Sequence, residues 1–132
     1  MSDAPAGATA YALIGEEAGL RRVVHRFYVR MDEAPEYRAL RAVHGPDLAR
    51  AEQRLLYFLS GRLGGPDLYI EAYGHPRLRM RHAPFAIGPV ERDQWVACMD
   101  EAMDLEGVEP GLRQALHAFF AEVAAHMQNR EA

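Results

Sequence analysis

The sequence predicts an all-α protein that forms a single domain. Apolar residues recur three or four positions apart along four stretches of the chain, which is the spacing of one face of an α-helix. Prolines and glycines separate these stretches, and no segment shows a convincing strand pattern. With 132 residues, of which 49% are apolar, the chain is large enough for one hydrophobic core and too short for two.

Three helices are predicted in the first half of the chain. Residues 15 to 32 form the first, and its apolar stripe consists of Leu20, Val23, Val24, Phe27, Tyr28 and Met31. Pro35 interrupts this helix, and residues 36 to 43 form a short second one. Pro46 and Asp47 offer a turn and a cap for a third helix over residues 48 to 63. Its stripe consists of Leu48, Ala51, Leu55, Phe58 and Leu59.

The second half is predicted to contain a loop, a short helical turn and two long helices. Gly64, Gly65 and Pro66 end the third helix, and residues 67 to 74 form a loop. A short helical segment begins near Pro76 and closes after His82, because Pro84 disfavours helical geometry at the residue before it. Residues 89 to 105 form a helix whose inner face carries Trp95, Cys98, Met99 and Met103. Pro110 begins the last helix, whose stripe consists of Leu112, Ala115, Leu116, Phe119, Val123 and Met127.

Composition excludes several classes of protein. Residues 1 to 10 have neither a basic region nor an apolar core, so they predict a disordered lead-in rather than a signal peptide. No run approaches the ~18 consecutive apolar residues of a membrane span, and a cytoplasmic location is expected. The net charge of −4 argues against nucleic-acid binding. Cys98 is the only cysteine, which excludes an internal disulfide and predicts a buried, inert thiol.

His82 is a candidate functional side chain. It ends a short, proline-bounded turn and is followed by the apolar residues Phe85 and Ile87. Such a histidine can present one ring nitrogen to an apolar pocket while the other bonds to a carbonyl about one turn earlier, near Leu78. That arrangement suits a single axial ligand of a haem iron. From the spacing alone, a surface or core histidine without a ligand role remains the alternative.

Three segments give the chain a resemblance to one family. HPRLRMRHAPFAIG followed by ERDQW resembles the proximal-histidine region of group II truncated haemoglobins. LIGEEAGLRRVVHRFY and RAEQRLLYFLSGRLGGP resemble the same family in the same order, so the resemblance covers roughly residues 11 to 105. It implies a truncated globin domain over residues 11 to 132, folded as a two-over-two helical sandwich. It also implies haem b, whose iron is bound by His82, and the absence of a CxxCH motif agrees with non-covalent binding.

The resemblance also implies which residues surround the ligand. Tyr28, in a Phe-Tyr pair, and Trp95, in ERDQW, match positions whose O–H and N–H groups point at the sixth coordination site of the iron. His44 matches a neighbouring position that is often tyrosine or phenylalanine, and it would add a titratable donor. This match requires a length difference of a few residues. The ordinary alternatives are a surface tyrosine, a core tryptophan and a solvated loop histidine.

Further residues are expected to line the haem and to bind its propionates. Ala51 matches the position at which ordinary globins carry the distal histidine, and its small side chain leaves a gap above the haem edge. The other predicted lining residues are Leu55, Phe58, Leu78 and Phe85. Arg54 can reach a propionate through a bidentate guanidinium–carboxylate pair. The other candidates near the haem edge are Tyr69, Arg77 and Arg79.

The function that the resemblance implies is the binding of dioxygen and other small diatomic or anionic ligands. Three donors around one ligand should slow its release, which suits a redox or detoxifying role better than oxygen transport. Nitric oxide dioxygenation, peroxide turnover and sulfide capture are candidate reactions, and a catalytic cycle would need an external reductase because no redox domain is fused. The alternatives are a storage or sensing module without turnover and a haem-free helical interaction protein. The sequence does not distinguish a monomer from a homodimer.

Overall fold

A computed structural model describes residues 8–75 and 86–131, and every regular element within them is helical. The α-helices are α1 (Ala10–Ile14), α2 (Glu16–Glu33), α3 (Arg38–Val43), α4 (Ala49–Arg62), α5 (Leu68–Tyr73), α6 (Pro89–Leu105) and α7 (Pro110–Met127), and a 3-10 turn (Pro35–Tyr37) precedes α3. The prediction of an all-α fold is confirmed. None of these helices combines the length and the apolar character needed to cross a membrane.

The four long helices form two packed pairs. α2 lies against α4 and α6 lies against α7, and the contact between α2 and α6 joins the pairs into a two-over-two sandwich. The shorter α3 packs on α6, and α5 packs on α4. Every residue of the predicted α2 stripe is buried, and Phe27 and Met99 are fully buried where α2 meets α6. The apolar residues that recur at helical spacing in the sequence therefore form the core that joins the two pairs.

The corner between α1 and α2 depends on unusual backbone geometry. Gly15 ends α1 with a φ of 105°, and Glu16, which follows it, adopts a φ of 59°. This left-handed conformation costs roughly 1–2 kcal/mol for a residue with a Cβ atom. A Cβ added at Gly19 would lie 1.9 Å from the carbonyl oxygen of Ile14. The two helices can cross this closely only because residue 19 has no side chain.

The start of the described chain is attached to the end of α4. The Thr9 hydroxyl accepts the Ala12 N–H at 3.1 Å and caps α1, and the Tyr11 N–H donates to the Leu63 carbonyl at 2.9 Å. A Cβ at Gly65 would lie 2.5 Å from the Tyr11 ring, so the glycine allows this close approach. Thr9 belongs to the segment predicted as a disordered lead-in, whose residues 1–7 lie outside the described ranges.

Two local predictions are wrong. Residues 67 to 74, predicted as a loop, contain α5, whose Tyr69 is buried with its ring centroid 6.4 Å from that of Phe58. In α7, Phe120 is buried, whereas the predicted Phe119 is only partly buried and Ala115 is exposed. Adjacent residues on a helix point about 100° apart, so two neighbouring phenylalanines leave open which one faces the core.

Cys98 is fully buried in α6, as predicted. Its Sγ–H donates to the Phe27 carbonyl oxygen at 3.3 Å. Burial raises the pKa of the thiol to about 12, and the negative charge of Glu101 adds to this effect. The thiolate, which is the reactive form of cysteine, is therefore scarce near neutral pH.

Candidate functional site

A cavity of about 370 Å³ lies between the helices, and α2, α3, α4, α5, α6 and α7 all contribute to its lining. Eight of the residues predicted for a haem site line this cavity: Tyr28, His44, Ala51, Arg54, Leu55, Phe58, Tyr69 and Trp95. The remaining four predicted site residues, Leu78, Arg79, His82 and Phe85, lie outside the described residues, as does Arg77. The fold thus brings together eight predicted side chains that are widely separated in the sequence.

Tyr28 offers a phenol in a nearly dry environment. Its side chain lies on the inner face of α2, and only 6% of the residue is exposed. The ring packs edge-on against Phe27 and His44, with centroid separations of 5.0 and 6.0 Å. Burial, with a smaller contribution from the negative charge of Glu52, raises the pKa of Tyr28 well above its ordinary value. The hydroxyl therefore remains a proton donor, and no hydrogen bond within the described residues uses it.

His44 follows α3, and its ring is held by a hydrogen bond to the main chain. Its Nδ1 atom lies 3.0 Å from the Leu40 carbonyl oxygen. A carbonyl oxygen can only accept, so Nδ1 must carry a proton. In the neutral ring, Nε2 is then an acceptor, and it becomes a donor only when the ring is protonated. The sequence predicted a titratable donor here, and the structure adds the tautomer.

Trp95 lies in the second turn of α6 and contributes an indole N–H. Its ring packs edge-on against Phe27 and Phe120, with centroid separations of 5.4 and 5.6 Å. The two phenylalanines come from α2 and α7, so both helix pairs fix the orientation of the indole. Within the described chain, no hydrogen bond involves its N–H, which can only donate.

Arg54 brings a cationic group to the cavity. Its guanidinium carbon lies 5.2 Å from the centre of the Tyr73 ring, which fixes the position of the charge. Its Nε atom is buried, and among the described residues nothing accepts its hydrogen bond. A buried donor without an acceptor is costly, so this atom indicates an anionic partner that the described residues do not supply.

Sequence reasoning missed part of the lining. Leu40 and Val43 of α3, and Ile87 before α6, contribute apolar surface, and Arg50 and Arg92 contribute two further guanidinium groups. The α7 residues Val123, Ala124 and Met127 also line the cavity. Val123 and Met127 belonged to the predicted stripe of the last helix. Helical periodicity could mark them as inward-facing, but it could not distinguish a core contact from a cavity wall.

The model of the bacterial-like globin family matches residues 9–129 of the chain. The chain belongs to this family. This globin is 40% identical over 120 residues to the group 2 truncated haemoglobin YjbI of Bacillus subtilis (strain 168), a match that covers 91% of this chain and 88% of the relative. The prediction of a group II truncated haemoglobin is confirmed.

Solved structures of relatives have the same fold. The group II 2-on-2 haemoglobin from the plant pathogen Agrobacterium tumefaciens is similar with a TM-score of 0.91 and 42% identity, over 97% of this globin and 99% of that chain. The truncated oxygen-avid haemoglobin from Bacillus subtilis gives a TM-score of 0.85 and 38% identity, over 92% of this globin and 100% of that chain. The two-over-two architecture predicted by the resemblance is therefore confirmed.

Family membership also establishes the cofactor. Globins of this family bind haem b and its iron non-covalently, and they bind dioxygen and other small ligands, so this globin does the same. The cavity fits this group. Aromatic and aliphatic side chains from both helix pairs suit the apolar face of a porphyrin, and the unsatisfied Nε of Arg54 suits a propionate at its edge.

Proposed function

We propose that this globin retains its ligand tightly and serves a redox or detoxifying role rather than oxygen delivery. The observation that carries the proposal is the meeting of three polar side chains, from Tyr28, His44 and Trp95, in one cavity. Haem supplies the iron at which dioxygen and other small ligands bind. The polypeptide supplies groups that hold, orient and polarise the ligand.

On one side of the haem, we assign His82 as the proximal ligand. The assignment rests on the family resemblance and on the proline-bounded turn in which the sequence places this histidine. Because the chain contains no CxxCH motif, His82 and burial in the cavity would hold the haem without a covalent attachment. Leu78 and Phe85 are proposed to pack beside it, on the same basis.

On the other side, Tyr28 and Trp95 are proposed to donate hydrogen bonds to a ligand in the cavity. Both groups are donors, neither has a hydrogen-bond partner within the described residues, and packing fixes both rings. Hydrogen bonds to a polarised ligand are worth on the order of 1–3 kcal/mol each, so two of them slow release considerably. Ala51 leaves space beside them, with Leu55 and Phe58 providing apolar lining.

At the haem edge, Arg54 is proposed to bind a propionate. Its buried, unsatisfied Nε and its position over the Tyr73 ring support this role. Tyr69 lines the same cavity and is proposed as a second contact. Arg79 is carried over from the family resemblance alone.

Slow release is what favours redox chemistry over delivery. A ligand held by several donors is a poor cargo, but it remains in place long enough to react with nitric oxide or with an electron donor. The Bacillus subtilis relative described as oxygen-avid agrees with this expectation. A catalytic cycle would require an external reductase. The second candidate is a storage or sensing module, which the same tight binding also permits.

The proposal is tested by kinetics on the purified haem protein. Dioxygen release should be slow, and turnover of nitric oxide or peroxide with an added reductant should exceed that of free haem. A protein that releases dioxygen slowly but shows no turnover above free haem would favour storage or sensing. Rapid release would contradict both the assigned donors and the redox role.

A further inference from the structure

We propose that Gln94 and Arg41 are positioning residues that hold His44 in one orientation and one tautomer. The inference rests on the proposed function, because it concerns the same cavity. Neither residue was predicted from the sequence. Both act through the short helix α3, which ends at the residue before His44.

The first contact lies at the start of α3. An amide in the first turn of a helix has no acceptor within the helix and needs one from elsewhere. The Leu40 N–H finds it in the side chain of Gln94, whose Oε1 accepts at 2.9 Å. Gln94 is the neighbour of Trp95 in α6. This bond therefore ties α3 to the turn of α6 that carries the indole donor.

The second contact lies at the end of α3. The His44 amide donates to the Arg41 carbonyl at 3.0 Å, one residue short of the α-helical pattern, so it does not serve the Leu40 carbonyl. The His44 ring fills that place, with Nδ1–H donating to the Leu40 oxygen at 3.0 Å. Both main-chain polar groups of Leu40 are thus bound by side chains. Chains of hydrogen bonds of this kind strengthen one another.

The third contact holds the loop after the helix. Arg41 donates from Nε to Asp32 of α2 at 2.9 Å, and from Nη1 to the Gly45 carbonyl at 2.9 Å. Its Nη1 and Nη2 also lie 3.4 and 3.3 Å from the carbonyl oxygens of His44 and Pro46. One guanidinium therefore connects three consecutive carbonyls to the helix that carries Tyr28. Only a planar fork with several donors can do this, and lysine could not.

Fixing the tautomer lets His44 discriminate between ligands that carry a proton and ligands that are anions. In its neutral form the ring can accept a hydrogen bond through Nε2, so it favours a ligand that carries a proton, such as water or hydrogen peroxide. Once protonated, it donates and favours an anion. The other charged or titratable groups that line the cavity are Tyr28 from α2, Asp47 from the turn before α4, Arg50 and Arg54 from α4, Tyr69 from α5, and Glu91 and Arg92 from α6.

The test compares matched variants of the haem-bound protein. Gln94→Met removes the acceptor at nearly constant length, whereas Gln94→Glu keeps an oxygen in place. Gln114→Met makes the same change at an exposed site on α7 and serves as the control. Arg41→Met removes the fork independently. The readout is the ring-nitrogen NMR signal of His44 in the reduced, carbon monoxide-bound form, which distinguishes the two neutral tautomers. Thiocyanate affinity of the ferric protein is measured in parallel over a pH range that spans ~6.5, where an ordinary histidine gains its charge.

The Nδ1–H tautomer should dominate in three proteins: the wild type, the Gln94→Glu variant and the Gln114→Met control. In Gln94→Met and in Arg41→Met, the ratio of Nδ1–H to Nε2–H should fall ~5-fold or more, with a weaker pH response of thiocyanate binding. A ratio in both variants equal to that of Gln114→Met would overturn the inference, and Arg41→Met decides it alone if Gln94→Met does not fold. Rapid dioxygen release by the wild type would count against the proposed function, whereas the tautomer ratio is independent of it.

Discussion

Removing the hydroxyl of Tyr28 tests how the cavity retains its ligand. The Tyr28→Phe substitution deletes one oxygen from a residue that is 6% exposed and leaves the edge-on contacts with Phe27 and His44 in place. Among the described residues, no group bonds to this hydroxyl, so its loss orphans no other polar group there. The expected change is therefore confined to the interaction with the ligand.

The magnitude follows from the state of the phenol. Burial raises the pKa of Tyr28 above its ordinary value, so the group stays protonated and donates throughout the pH range below ~10. A hydrogen bond of about 1–3 kcal/mol to the ligand corresponds to ~5- to 150-fold faster release when it is lost. Trp95→Phe should have an effect in the same range. The double variant should lose more than the sum of the two single losses, because in each single variant the remaining donor can reorient and compensate in part.

The assay is stopped-flow displacement of dioxygen by carbon monoxide at constant pH. Tyr57→Phe is the matched control, because Tyr57 lies on α4 but lines a different cavity. Circular dichroism checks that each variant keeps its helical content. Release rates unchanged in both Tyr28→Phe and Trp95→Phe would mean that neither side chain contacts the ligand, and the proposed tight retention would be refuted.

The same geometry predicts the outcome of four further substitutions. His82→Ala should lose most of its haem, with partial rescue by added imidazole, and a normal five-coordinate ferrous spectrum without imidazole would refute the assignment. Arg54→Met should release haem to an acceptor protein ~5- to 150-fold faster, and an unchanged rate would remove it from the propionate site. His44→Phe should flatten the rise in ferric thiocyanate affinity as the pH falls through ~6.5, where an ordinary histidine gains its charge; identical profiles would make His44 a plain loop residue. Gly19→Ala should destabilise the fold by about 3 kcal/mol or more by calorimetry, whereas Gly45→Ala, whose Cβ meets nothing within 4 Å, should not, and equal melting temperatures would contradict the helix crossing.

Much of the fold could be predicted because its signals are local. Pro89 and Pro110 begin helices at the residues where the sequence placed them, since proline at the first position of a helix sacrifices no hydrogen bond. The predicted stripe of α2 is buried in full. Eight predicted site residues line one cavity. Their grouping could be expected from the family resemblance, because a resemblance relates positions in space, whereas helical periodicity alone does not.

The sequence by itself determined the helical class, the main helix boundaries and the residue types available to a haem pocket. Only the tertiary structure decided that residues 68–73 are helical, that Phe120 rather than Phe119 enters the core, and that Glu16 takes a left-handed backbone. It also decided which nitrogen of His44 carries the proton, because the Leu40 carbonyl, which the His44 amide does not bond, accepts a hydrogen bond from Nδ1. Helix periodicity and capping depend on neighbours three or four residues away, whereas these outcomes depend on which distant surfaces pack together.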